Sequence, residues 1–252
     1  MRVSVAGVTD PGRIRFRNED RYLLHPPMIA VADGMGGHFV GDRAAQAVID
    51  TLTKVTWEDV DRASMVSSLQ GSIDEARSAI VSFVEEVEEG TTETRVNAQP
   101  GAGTTLAGVI YCSDESEWLT FHIGDSRVYL WRNERLRRIT KDHSVVQELI
   151  DEGDITEEEA RCHPRRSVIT RAIGSYGACT VDTSSFEAEE GDVVLVCSDG
   201  LSDQLDDKTI ASVIVEVAQE DSLDALAFAL RDVALTNGGR DNVTVALMKI
   251  GE

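Results

Sequence analysis

The sequence predicts an α+β fold in which antiparallel sheets pack on one another and helix pairs cover them from outside. Three observations carry this. Strand-like and helix-like segments come in blocks (strands, two helices, many strands, two helices, one strand) and not in the regular alternation of a doubly wound sheet. The runs VVLVC and VTVALM are apolar nearly throughout, as expected of strands covered on both faces. No Ser/Gly/Pro-rich linker and no internal repeat divides the chain, so residues 1–252 read as one domain.

Residues 1–10 and 28–33 read as strands. GDRAAQAVIDTLTKVT, 41–56, carries apolar residues at helical spacing, as does 60–89. TETRVNAQPGAG, 92–103, reads as a loop. Strands then crowd together: TTLAGVIYC, EWLTFHIG, SRVYLWR and, past a tight turn at Asn133–Glu134, RLRRIT. Residues 142–170 interrupt them with the short polar helices HSVVQELIDEG and ITEEEAR and with Pro164. Strands return at 180–187 and 192–198, helices follow near 207–218 and 222–236, and a strand closes the pattern at 243–250.

Acidic residues number 45 against 24 basic, a formal net charge of −21 that repels nucleic-acid phosphates and anionic membrane surfaces. The absence of a basic stripe also argues against a metal-dependent nuclease. Cys112, Cys162, Cys179 and Cys197 show neither CxxC nor CxxxC spacing. That argues against structural zinc and against a disulfide framework, and suggests four reduced thiols in a cytoplasmic protein. MRVSVAGVTDPG lacks the apolar core of a signal peptide, and no window approaches 18 apolar residues, so no membrane partner is expected.

One device recurs. Asp33 follows MIAVA and precedes Gly34; Asp199 follows VVLVCS and precedes Gly200. Asp125 follows TFHIG, Asp241 stands in GGRDN before VTVALM, and Glu19 and Asp20 in RNED precede YLL. Any one of these is most simply a turn. As a set, acidic groups at the rims of apolar strands require a compensating cation or hydrogen-bond network. If they converge, the site is all oxygen, without His or Cys ligand spacing, which suits Mg²⁺ or Mn²⁺. Glycine after Asp33 lets backbone approach a cation.

RIRFRNED, VADGMGGH, GAGTTL, HIGDSRVYL, ITKDHS, ITRAIG, CSDGLSD and GGRDNVTVAL occur in the order seen in the bacterial metal-dependent protein phosphatases of type 2C, and the chain resembles that family from about residue 3 to 249. The resemblance implies a central β-sandwich of two antiparallel sheets flanked by helix pairs, a four-layer α-β-β-α arrangement, with the site at one end and a flap at about 143–168. It implies that Asp33 bridges two ions, Asp199 and Asp241 complete the first, and the Gly34 carbonyl serves the second with Glu19 and Asp20, directly or through water. Asp125, Asp199 and Asp203 resemble a third, weaker site, to which Ser167 of the flap adds a backbone oxygen. Arg15 matches the arginine that holds the substrate phosphate.

The implied reaction is hydrolysis of phosphoserine or phosphothreonine by a metal-activated water. Its partners would be phosphorylated proteins, among them Ser/Thr kinases and their substrates, met by a monomer. Cys197 lies in an apolar strand without a CxxxxxR loop, against a cysteine-phosphatase reading. Met35 stands where the animal enzymes carry His. His38 is either the proton donor to the leaving group or a helix-capping or solvent-facing residue, and metal-bound water is the other acid. The flap, acidic in DEGDITEEE and basic in HPRR, either selects substrates with basic flanks or is a solvated helix pair. The alternative to an enzyme is an inactive scaffold, which usually lacks a metal carboxylate.

Overall fold

A computed structural model describes residues 2–36, 40–57, 60–90, 102–174, 179–218 and 222–251, with the backbone alone at 87–90. The chain runs β1 (Arg2–Asp10), β2 (Arg21–His25), β3 (Met28–Ala32), β4 (Gly34–Met35), α1 (Gly41–Leu52), α2 (Arg62–Gly90), β5 (Gly103–Thr104), β6 (Leu106–Cys112), β7 (Glu117–Ile123), β8 (Arg127–Arg132) and β9 (Arg135–Arg138). It continues α3 (Val145–Glu152), α4 (Glu157–Cys162), β10 (Ile173–Gly174), β11 (Asp182–Glu187), β12 (Val193–Cys197), α5 (Asp199–Ser202), α6 (Asp207–Val217), α7 (Leu223–Thr236) and β13 (Val243–Gly251).

Two five-stranded antiparallel sheets form, in the orders β1-β13-β12-β8-β9 and β11-β7-β6-β3-β2. Strand alternation explains how they stack. In MIAVA, Ile29 and Val31 point between the sheets, where they meet Val109, Trp118, Val128, Val196 and Met248. Met28, Ala30 and Ala32 point outward onto Val48, Leu52, Leu69 and Ile73 of α1 and α2. On the other sheet, Leu195, Val245 and Leu247 face Ile210, Val213, Leu226 and Leu230 of α6 and α7. These three apolar layers make the four-layer α-β-β-α arrangement, and they account for strands buried on both faces.

Most predicted elements form, and the differences have local causes. The helix predicted to 56 ends at Leu52, whose carbonyl accepts the Trp57 indole N–H at 3.0 Å. Asn133 and Glu134 both take positive φ, 51° and 58°, at the β8–β9 turn. Three elements were not predicted: β2, the four-residue α5, and a small sheet β10-β5-β4 built from two-residue strands. Most of the predicted 92–103 loop lies outside the described residues.

The predicted flap is α3 and α4 with their return. Its two ends are stitched together by Val145 N–H to the Val168 carbonyl (2.9 Å) and Thr170 N–H to the His143 carbonyl (2.8 Å). Ser144 caps α3, and a Thr156–Glu159 capping box starts α4.

Candidate metal centre

The antiparallel register brings distant residues to one end of the sandwich. Arg21 pairs with Ala32, Leu106 with Ile123, Cys197 with both Arg127 and Val245, and Asp10 with Val243. Asp33, Asp125 and Asp199 therefore leave their strands where Glu19, Asp20 and Asp241 approach theirs. A cleft of about 610 Å³ opens there, lined by Arg15, Glu19, Asp33, Gly34, Asp125, Ser167, Asp199 and Asp241. Asp203 is placed beside it. It lines an adjoining cavity of about 850 Å³ under the flap helices that also reaches Asp125 and Asp199. Asp20 lies beneath the cleft, 1% exposed. His38 lies outside the described residues.

Backbone close approach fixes this geometry. A Cβ on Gly34 would stand 2.2 Å from the Gly41 carbonyl oxygen and 2.7 Å from that of Glu19, so only glycine lets β4, α1 and the RNED segment meet. A Cβ on Gly200 would lie 1.9 Å from the Asn242 carbonyl oxygen, which holds the Asp199 turn against the Asp241 turn.

Several supporting residues were missed in the sequence. The Asp33 carbonyl accepts Thr105 N–H (2.9 Å) and the Thr104 hydroxyl (2.9 Å), while Thr105 Oγ1 accepts the Asp33 N–H (3.1 Å). GAGTT is thus the clasp of Asp33, beyond a plain start of a strand. Asn242 accepts Glu19 N–H at 2.8 Å and donates to the carbonyls of Pro11 and Arg17. Ser198 and Thr244 hydroxyls both donate to Asp20 Oδ2, at 2.8 and 2.6 Å. Arg127 makes a forked pair with Asp142 behind Asp125. A polar residue beside each acidic motif was the available signal.

Among the described residues these carboxylates have too few cations beside them. Burial, then repulsion from Asp20, Asp199, Asp125 and Asp241, holds Asp33 well above the usual carboxylate range. Burial, then Asp125, Asp203, Asp241 and Asp20, does the same to Asp199. Burial pushes Asp125 up to about 7, helped by Asp142, and Asp20 up to about 6 against the pull of its two hydroxyl donors. Burial and Asp42 raise Glu19. Arg15 meets Asp241 at 2.5 Å, but both side chains are substantially open to solvent. Such an exposed pair is worth only about 0–1 kcal/mol, so it can be exchanged for another anion.

These residues fit divalent cations. The donor set is all oxygen. Among the described residues Asp20 Oδ1 is buried without a hydrogen-bond partner, and so is Oδ1 of Asp42 in the first turn of α1. Unpartnered buried carboxylate oxygens need a cation or water.

A second titratable group does not fit one. His122, His143 and Asp182 offer ligand atoms within 4.8 Å of one another. His143 Nδ1, however, accepts the Gly124 N–H at 3.0 Å, and Asp182 pairs with Arg171 at 2.9 Å. His122 Nε2 donates to the Lys141 carbonyl at 2.8 Å. The arginine already supplies the positive charge, and the group pins the root of the flap to Gly124.

The sequence matches the protein phosphatase 2C family over residues 16–233. It is 40% identical over 247 residues to the serine/threonine protein phosphatase PstP of Mycobacterium tuberculosis, covering 97% of this chain and 44% of that one. The chain thus spans less than half the length of this curated relative. It is 35% identical over 249 residues to the serine/threonine phosphatase stp of Listeria monocytogenes, covering 96% and 93%. The crystal structure of Mycobacterium tuberculosis PstP superposes with a TM-score of 0.86 at 36% identity over 99% of both chains. The catalytic domain of PstP in complex with two manganese ions gives 0.84 at 35% identity, again over 99% of both chains. The chain belongs to the protein phosphatase 2C family.

Proposed function

We propose that the chain is a divalent-cation-dependent phosphatase of phosphoserine and phosphothreonine in proteins. The observation that carries this is the convergence of Glu19, Asp33, Asp125, Asp199 and Asp241 on one cleft with Arg15 at its mouth. Asp33, Asp199 and Asp241, with Glu19, Asp20 and the Gly34 carbonyl, would hold two ions, Mn²⁺ or Mg²⁺. Asp125, Asp199 and Asp203, with Ser167, would hold a weaker third. The manganese-bound PstP domain supports the choice of ion. When bound, such cations supply Lewis acidity that acidifies water and neutralises charge on phosphoryl oxygens.

The chain supplies the rest. Arg15 exchanges Asp241 for a phosphate oxygen pair, using the fork of its guanidinium. The Thr104–Thr105 clasp and the Gly34 and Gly200 contacts preorganise the carboxylates, so little reorganisation accompanies reaction. No protein nucleophile is needed. Cys197, the cysteine next to a site motif, is buried and its thiol is pushed up to about 12. No histidine is among the described residues lining the cleft, so His38 stays the sequence candidate for protonating the leaving serine oxygen.

We read residues 1–252 as one catalytic domain, because both large sheets contribute to the site. Its substrates would be phosphorylated proteins, including kinases and their targets, and it would act as a cytoplasmic monomer. No helix among the described residues is long and apolar enough to cross a membrane. The test is phosphate release from a phosphothreonine peptide with and without Mn²⁺. Cation-dependent release supports the reading. Binding of Mn²⁺ and peptide without release identifies a scaffold.

A further inference from the structure

Ile14 and Phe16 flank Arg15 in the loop between β1 and β2, and the folded chain gives neither a place to hide. Ile14 is 64% exposed and Phe16 is exposed in full. Exposed apolar side chains are common singly and need no explanation. Phe228, at 46%, has the Arg231 guanidinium over its ring at 5.0 Å. Phe16 is different in degree and in place. It lines the cleft that holds the carboxylates, together with Ile14, Met35 and, from the flap side, Ile169. Val168, next to Ile169, is 45% exposed. Apolar surface thus rims a highly acidic cleft on two sides.

We propose that Phe16, with Ile14, forms an apolar wall that receives a nonpolar side chain flanking the phosphorylated residue, which makes Phe16 a specificity-determining residue. The proposal rests on the phosphatase reading. Arg15 stands between the two apolar residues and sits at the cleft mouth against Asp241. Ile14, Arg15 and Phe16 line the same cleft, so a substrate whose phosphate meets Arg15 carries its flanking residues past the two apolar side chains. A flat aromatic face with two torsions loses little freedom on contact and removes a large apolar area from water.

Two phosphothreonine peptides, identical except for leucine or glutamine on both sides of the phosphothreonine, test this with the Mn²⁺-loaded protein. The leucine peptide is expected to have a kcat/KM higher by about tenfold, expressed in KM, the scale of an apolar contact that stays partly open. Phe16→Ser reduces that ratio to about twofold or less, whereas Phe16→Leu keeps most of it. Equal turnover of the two peptides by the unmodified protein overturns the wall alone, as does a preference that survives in Phe16→Ser. Release of phosphate from neither peptide overturns the phosphatase reading and the wall with it. Sedimentation velocity covers the other occupant: a dimer that Phe16→Ser dissolves assigns the surface to a second copy and overturns the proposal.

Discussion

Strand β12 has an aspartate beyond each end, and their surroundings are opposite. Asp192, before Val193, is 1% exposed and fully matched. It accepts the Trp118 indole N–H (2.8 Å), Glu189 N–H (3.0 Å) and two Arg132 nitrogens (2.7 and 2.6 Å). Asp199, two residues after Cys197, faces Asp125, Asp203, Asp241 and Asp20. One pole of the sandwich closes its charge balance with its own arginine; among the described residues the other leaves it open. Burial of a carboxylate is therefore not the mark of this site. The missing counter-charge is.

Substitutions separate the two poles. On the proposed function, Asp199→Asn or Asp33→Asn is expected to lower phosphopeptide kcat by about 10³-fold or more, because several kcal/mol of charge stabilisation would depend on these groups. Isothermal titration with Mn²⁺ should show the matching loss of binding, and near-normal titration would break the contrast. Arg132→Ala, at the closed pole, strands Asp192 and is expected to destabilise the fold by about 3 kcal/mol in urea unfolding, with or without Mn²⁺. Arg15→Ala should cost about 10²-fold in kcat/KM while leaving Mn²⁺ affinity intact, as expected of a group that meets the phosphate. Removing both hydroxyls that hold Asp20, in Ser198→Ala with Thr244→Val, should weaken Mn²⁺ by about tenfold, in the range for groups that orient a metal ligand.

The smallest effect is in pH. Glu19, Asp20, Asp33, Asp125 and Asp199 have raised values in the folded state, so at these groups the folded chain binds more protons than the unfolded one. Stability without cations must then fall as pH rises from the ordinary aspartate value of about 4 through about 6 for Asp20 and about 7 for Asp125. In EDTA the melting temperature should be a few degrees higher at pH 5 than at pH 8. Saturating Mn²⁺ should raise it most at pH 8, where the carboxylates proposed to hold it are deprotonated. A melting temperature in EDTA that climbs with pH over this range would show that the open pole is balanced after all.

The sequence displayed the open pole better than the closed one. Asp33, Asp199 and Asp241 stand beside glycines or turns at the ends of apolar runs; each alone reads as a turn, and their recurrence as a set is what points to a site. Asp192 looks the same in sequence, and only the fold brings Trp118 and Arg132 to it. The sandwich was legible because VVLVC and VTVALM are apolar on both faces. Strand β2, RYLLH, was not, because it is an edge strand with one buried residue. Helix α5 and the small sheet are too short to show a period and depend on tertiary contacts. The hydroxyls of Ser198 and Thr244 escaped notice because they sit within or beside apolar strands and act on a residue about 180 to 220 positions away.

The pairing of β1 with β13 matches Arg2 with Gly251 at one extremity and Asp10 with Val243 at the cleft. Both paired extremities thus lie a strand's length, roughly 27 Å, from the carboxylates. The far end of this strand pair, opposite the cleft, is therefore a place where the protein can be fixed to a sensor surface with the cleft left open, so binding of the phosphoproteins proposed as substrates can be timed on the immobilised protein.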